Sequence, residues 1–234
     1  MKKNHDKKTI VLRKKIDETE VLEILNNKKT ALFKSIFSRP KKSDIHIHSV
    51  KLYYECILMI SGKYVANYFR KATHSISVNS NVSSVVLGDD IFSVRTKSNF
   101  KKAIVGKRGK NKIDLKLEEH VFVENEDELT FDHHGREIKF PFKLNSKTTE
   151  NYPNRLLEKN SSNVKNSELT HNDVIKKLQS FLKKPLEDEV RKLEEEFVLR
   201  EISEVYVPIY EARLIGPKKK IAIIRIDAVR NKIL

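Results

Sequence analysis

The hydrophobic pattern predicts an amphipathic helix near the start of the chain. Asp17 and Glu20 have the spacing of a capping box, in which each side chain binds the backbone of the other residue. Apolar residues then recur at helical intervals until Pro40, which favours a helix end before it. We therefore expect helical structure between residue 17 and Pro40.

A strand-like stretch follows this helix. The sequence LYYECILMISGKY, residues 52–64, is almost continuously apolar, which is typical of a strand buried on both faces. Gly62 is expected to turn the chain, so that the alternating residues Ile76 and Val78 belong to a returning strand. The polar break at 79–81 predicts a further turn before Val85.

The last third of the chain repeats this order. Thr170 and Asp173 form a second capping signature, and the residues after Pro185 have a helical apolar spacing with acids in the first turn. The stretch VYVPIYEARLIGPKK, residues 205–219, then predicts a strand that ends at Gly216 and returns through alternating isoleucines.

These two segments predict a degenerate internal repeat. Tyr53 aligns with Tyr206, and Gly62 aligns with Gly216. The alternative is two unrelated hairpins of similar composition. The predicted fold class is α+β, with two helix-plus-β-hairpin repeat units flanking a β-rich basic insert in a mostly antiparallel sheet. The predicted ranges are a basic N-terminal arm (1–16), a first unit (17–94), the insert (95–144), a polar linker (145–168) and a second unit (169–234).

The second copy resembles the PepSY class of small modules. It closes with IIRIDAVRNKIL, residues 223–234, where that class carries an aspartate-containing turn of the type VDAxTG. Asn231 stands roughly where the family glycine would be. The chain is also similar to uncharacterised, lysine-rich archaeal proteins that open this strand with LYYEP or YVP patterns. The resemblance implies a layered α+β scaffold with a binding role and carries over no catalytic residue.

The charge of the chain changes this picture most. Formal net charge is +15, a balance that attracts polyanions. The alternative explanation of this positive charge is compositional, because an A/T-rich genome encodes lysine-rich proteins whatever their function. Eight cations and no acid occupy the start of the predicted insert: Arg95, Lys97, Lys101, Lys102, Lys107, Arg108, Lys110 and Lys112. With Lys218, Lys219 and Lys220 they are the candidate phosphate contacts.

Aromatic residues beside cations add to the nucleic-acid hypothesis. Tyr64, Tyr68 and Phe69 are candidates for base stacking, which single-stranded nucleic acid binding uses, although tyrosines in strands are also ordinary packing residues. We therefore predict a non-enzymatic protein that binds RNA or another single-stranded nucleic acid, with other proteins of a ribonucleoprotein as further partners. The first alternative is a protein-interaction module whose charge only maintains solubility.

The search for catalytic chemistry gives one further alternative. Asp89 and Asp90 could bind a divalent metal for nuclease chemistry, although aspartate is also common in turns. His46 and His48 share one face of a strand and could hold a metal with Asp44 or His74. We predict no catalytic residue and no cofactor, because the chain has no glycine-rich phosphate loop, and no metal, because nothing in the sequence guarantees that three or four ligands converge.

The remaining composition bears on location. Cys56 has no partner within the chain, so an internal disulfide is impossible, and a buried structural role is expected. No stretch of 18 consecutive apolar residues suggests a membrane span. We expect a cytoplasmic protein that does not bind membranes.

Overall fold

The computed structural model describes residues 7–34, 40–94, 111–186 and 189–234. The chain forms two compact units, and neither coincides with one of the consecutive ranges predicted from the sequence. The first unit combines Met1–Lys63, Glu126–Leu182 and Val198–Leu234, and the second combines Tyr64–Asn125 and Lys183–Phe197. Three long strands contribute residues to both units: β2 (His46–Val78), β5 (Asn111–Phe131) and β7 (Val190–Ile215).

The first unit is a mixed sheet with helices. The described helices and the remaining strands of this unit are β1 (Lys7–Val11), α1 (Glu18–Phe33), α2 (Pro153–Lys159), β6 (Val164–Lys165), α3 (His171–Leu182), β8 (Ile221–Asp227) and β9 (Lys232–Ile233). The strand order is β5-β2-β7-β8-β9, with antiparallel pairing from β7 to β9. Two short strands pair in parallel, β1 with β7 and β6 with β2. Short 3₁₀ turns occupy Lys42–Asp44, Ser161–Asn163 and Pro217–Lys219.

Helix α1 covers one face of this sheet. Its buried residues Val21 and Leu25 belong to a core cluster with Leu214 of β7 and Ile224 of β8, and Leu52 of β2 packs against the same cluster. A second cluster includes Ile57, Val205, Val207 and Ile209 together with Phe140 and Phe142 from the segment after β5. Alternation along the strands sends odd-numbered and even-numbered residues to opposite faces, which explains why the two clusters separate.

The second unit consists of strands. Arg70 of β2 bonds Glu119 of β5 and Ser75 bonds Asp114, so these strands run antiparallel. A separate hairpin joins β3 (Ser84–Leu87) to β4 (Asp90–Ser93). Its apolar cluster contains Val94, Ile113 and Leu115, with Phe92 packed against it.

Several local predictions are confirmed. The sheet is mostly antiparallel and the chain mixes helix and strand, as expected. The Asp17 capping box is present in full: the Glu20 N–H donates to Asp17 at 3.0 Å, and the Asp17 N–H donates to Glu20 at 2.8 Å. Thr170 and Asp173 cap α3 in the same reciprocal manner. The stretch DHHGRE, residues 132–137, has the glycine typical of a hairpin turn, and the turn forms with Gly135 at a φ of 78°, a conformation that glycine adopts freely.

Three other predictions are wrong. Gly62 does not turn the chain, because β2 continues through it from His46 to Val78. The helix expected after Pro185 is instead the beginning of β7, so hydrogen bonding to neighbouring strands overrides its helical apolar spacing. Residues 145–168, predicted to be a linker, contain α2, a 3₁₀ turn and β6, and Thr149 forms a β-bridge with Leu12.

Candidate nucleic-acid interface

One face of the first unit's sheet is open where β7 and β8 form a hairpin. Leu214 and Ile224 point into the core beneath α1, so their neighbours along the strands point to the other side. Arg213 and Ile223 are direct cross-strand partners there. We call this surface the open face and define it by Lys51, Tyr53, Glu211, Arg213, Ile221, Ile223 and Arg225.

The open face combines charged and apolar side chains that water can reach. Lys51 and Arg213 are exposed, and Ile221 and Ile223 retain 62% and 53% of their accessible surface. Exposed isoleucines beside cations offer both a contact for apolar groups and a site of positive potential. A sheet face of this kind can hold an extended ligand across neighbouring strands.

The turn between β7 and β8 adds three lysines at the edge of this face. Lys218, Lys219 and Lys220 are all exposed. The Gly216 N–H donates to the Lys220 carbonyl at 2.8 Å and closes the turn. Lys218 and Lys219 adopt positive φ values of 55° and 58° within it. The closed turn therefore places three exposed lysines, which are candidate phosphate contacts, directly before Ile221 in the chain.

An aromatic ring lies on the same side of the sheet. Tyr53 of β2 is half-buried, and the Lys165 Nζ lies 4.4 Å from the centre of its ring. Lys165 also forms ion pairs with Glu55 at 3.1 Å and Glu211 at 3.5 Å. The cation therefore occupies one side of the ring and neutralises the only acid of the open face, Glu211.

The predicted stacking residues are placed elsewhere. Tyr64 and Tyr68 are buried in the second unit, and a buried ring has no free face for a base. The prediction that these two rings stack on bases is therefore wrong, and both are packing residues. The Tyr64 hydroxyl donates to Glu195 at 2.6 Å. Burial, and to a smaller extent this hydrogen bond, raises the pKa of Tyr64 to about 12. Phe69 is half-buried and already stacks on His120, with ring centres 4.6 Å apart.

Most of the predicted basic loop lies outside the described residues. Arg95, Lys97, Lys101, Lys102, Lys107, Arg108 and Lys110 belong to the range 95–110, which the structure does not describe. Lys112, the last of the eight cations, is exposed on β5.

The candidate metal ligands do not converge in the part of the chain that is described. No group of three or more histidine, cysteine, aspartate or glutamate residues there could hold a metal ion. Asp89 and Asp90 lie at the β3–β4 turn beside Gly88, whose φ is 60°. Aspartate is common in such turns for structural reasons. His46 and His48 are exposed on β2, while His74 pairs with Glu119 at 2.6 Å and Asp44 binds the Lys41 N–H at 2.9 Å.

Sequence reasoning missed Lys51, Arg213, Ile221 and Ile223 as members of one surface. The available signal was the alternation over residues 210–214, which separates Arg213 from the core residues on either side of it. That signal could not show which of the two faces α1 covers.

Comparison with known proteins gives no relative: no family model, curated protein or solved structure matches this chain. Among the described helices, none combines the length and apolar character needed to cross a bilayer.

Proposed function

We propose that this protein binds RNA or another single-stranded nucleic acid along the open face. The observation that carries the proposal is the placement of Lys51, Arg213 and the Lys218–Lys220 turn around one exposed sheet surface whose opposite side is sealed by α1. Each cation that neutralises a phosphate releases condensed counterions, which favours association at low salt. Such contacts give affinity without reading sequence.

Base stacking supplies the second part of the proposed interaction. Tyr53 has Lys165 on one side of its ring and lies on the open face, where a splayed base could stack on the accessible part of the ring. The exposed Ile221 and Ile223 would contact further bases or sugars. In this proposal the cations of 95–112 supply additional phosphate contacts.

The test measures how salt changes the affinity for a fluorescein-labelled oligouridine, by anisotropy from 50 to 300 mM NaCl. Replacing Lys218, Lys219 and Lys220 by serine is expected to reduce the slope of log affinity against log salt by about 2, since each single-strand phosphate contact contributes about 0.7. Tyr53→Ala should lower affinity by about 1–3 kcal/mol, the usual contribution of one stacked base, and leave the slope unchanged.

The matched control removes three exposed lysines, Lys159, Lys176 and Lys177, on helices α2 and α3, which contribute nothing to the open face. It should leave the slope unchanged. Equal losses in the two triple variants would show that net charge, and not this face, determines binding. A parent protein that fails to bind at 100 mM salt would contradict the nucleic-acid proposal.

The exposed isoleucines favour one second candidate, a protein-interaction module. Ile221 and Ile223 are exposed on β8, and their cross-strand neighbours on β7 are Ile215 and Arg213, so three isoleucines form a small apolar patch beside Arg213. A protein partner would bury this patch and would be insensitive to the triple lysine change. Ile223→Asp should then abolish partner binding.

We also propose that α1–β2 and α3–β7 descend from one duplicated helix-and-strand unit. Both helices begin at a reciprocal cap, and both lead into a long central strand that carries the aligned tyrosine, Tyr53 or Tyr206. Gly62 and Gly216 do not support the alignment, because only Gly216 ends a strand. An experimental structure in which the two helix-strand pairs fail to superpose would exclude duplication.

A further inference from the structure

One edge of the first unit's sheet has backbone groups that no described strand fills. Strand β9 pairs only with the last two residues of β8. The Leu234 N–H donates to the Arg225 carbonyl at 2.9 Å, on the side of β8 that faces away from β7. Because alternate residues of a strand share one direction, the N–H and carbonyl groups of Ile221 and Ile223 point to that side as well. We call residues 221–224 the free edge, a place where another strand can add.

The second unit presents a strand that fits this edge. The β3–β4 hairpin is a two-stranded sheet, so neither strand has another described strand at its outer side. The Val94 N–H donates to the Ser83 carbonyl across the hairpin, and by the same alternation the backbone groups of Ser84 and Val86 point outward. Strand β3 has four residues, as many as the free edge.

The side chains of the two strands also match. Val86 retains 64% of its accessible surface, and its cross-strand partner Ile91 retains 71%. Ile221 is exposed to a similar extent, 62%, and its partner on β7 is Ile215. In an antiparallel pairing with Val86 opposite Ile221, the two existing pairs would become one row of four aliphatic side chains. Cross-strand rows of this kind stabilise sheets.

The same register brings opposite charges together. Five exposed residues that form no ion pair with a described residue occupy the two turns: Asp89 and Asp90 between β3 and β4, and Lys218, Lys219 and Lys220 before β8. Asp89 follows Val86 by three residues, and Lys218 precedes Ile221 by three, so an antiparallel pairing places the acidic turn beside the basic turn. Complementary charges of this kind favour encounter and fix the register of an interface.

We propose that copies of this chain associate head to tail, with the β3–β4 hairpin of one copy extending the sheet of another copy at the free edge. Such an interface joins two different surfaces of the same chain, so every copy offers both a hairpin and an edge. The contact is small, so the association is weak and depends on concentration. The inference rests on the second candidate function, protein interaction, and names its partner; it does not rest on nucleic-acid binding.

The experiment is sedimentation velocity of the full chain, without nucleic acid, from about 10 to about 500 μM in 0.15 M NaCl. The weight-average sedimentation coefficient of the parent should rise across this range. Val86→Asp places a charge in the apolar row from the hairpin side, and Ile221→Asp places one there from the edge. Each variant alone should associate at least tenfold more weakly than the parent. Phe122→Asp is the matched control, because Phe122 is also 64% exposed and belongs to neither surface; it should associate as the parent does.

Mixing the two variants distinguishes head-to-tail pairing from other self-association. Val86→Asp keeps the free edge and Ile221→Asp keeps the hairpin, so an equimolar mixture should form a 1:1 complex with twice the 27.3 kDa mass of the chain. Association through two like surfaces, or unspecific association, would not recover on mixing. A mixture that stays monomeric, or a parent that stays monomeric at about 500 μM, would overturn the proposal.

Two controls keep this result separate from the other proposals. Val86 and Ile221 are more than half exposed, so both variants should keep the far-UV circular dichroism of the parent, and Ile91→Asp replaces Val86→Asp if that variant does not fold. Val86→Asp leaves the apolar patch of β8 intact, so it does not affect the binding of any other partner there. Oligouridine binding by a parent that does not self-associate would overturn this inference alone and leave the nucleic-acid proposal standing.

Discussion

The buried charge of Glu55 gives the sharpest test of what holds the first unit together. Glu55→Gln keeps the shape of the side chain and removes its negative charge. Lys165 and Arg225 would then face each other across a site in which the glutamate side chain is only 9% exposed. Removing one partner of a buried ion pair usually costs about 3–5 kcal/mol, since the other charge is left uncompensated.

The cost in this protein should be smaller, because about a third of each cation side chain is exposed to water: 33% for Lys165 and 32% for Arg225. Solvent screening reduces the penalty, so we expect about 2–3 kcal/mol of lost unfolding free energy. For a chain of this length, each kcal/mol lowers the melting temperature by about 2–4 °C. The expected fall is therefore about 4–12 °C.

The assay is thermal and urea unfolding by circular dichroism at pH 7 and 0.15 M NaCl. Glu211→Gln is the matched control, since Glu211 shares Lys165 at 3.5 Å but is 30% exposed, and it should cost less than about 1 kcal/mol. In the double variant Glu55→Gln, Arg225→Gln, the costs should be less than additive because the two residues are in contact. The reasoning is refuted if Glu55→Gln destabilises the protein no more than Glu211→Gln.

Two further predictions concern a titrating group and a close contact. Burial holds the pKa of His133 below its ordinary value near 6.5, so just below that pH the unfolded chain binds a proton at this residue and the folded chain does not. The unfolding free energy should therefore fall as pH falls from 7 toward 5, and it should fall less steeply in His133→Asn. Identical pH profiles of urea unfolding in the two proteins would contradict this prediction. At Gly216, an added Cβ would lie within 2.6 Å of Phe33 Cε1, so Gly216→Ala should lower the unfolding free energy by about 1–3 kcal/mol. In a Phe33→Ala background most of that loss should disappear. An unchanged loss in this background would exclude the contact with Phe33 as its cause.

The parts of the fold that the sequence predicts well are those decided within a few residues. The caps at Asp17 and Thr170 depend on side chains three positions away, so their signatures are sufficient to identify them. Residues 190–197 show the limit of such reasoning. Their apolar spacing is helical, yet partners far along the chain hold them in a strand, as when Tyr64 donates to Glu195. A pattern read within one segment cannot include those partners.

The residues of the candidate interface also differ in how far local sequence could predict them. Lys218, Lys219 and Lys220 are adjacent in sequence and could be proposed directly. Tyr53, Tyr64 and Tyr68 all belong to β2, and the two even-numbered rings are buried while the odd-numbered Tyr53 lies on the open face. Alternation therefore predicts that Tyr53 differs from the other two, but it cannot say which set is covered. For Tyr53 that choice depends on where helix α1 packs: α1 covers the sheet face that carries Leu52 and leaves Tyr53 on the opposite face, so the covering helix, more than the tyrosine itself, determines that a nucleic acid could reach this ring. Tyr64 and Tyr68 belong to the second unit.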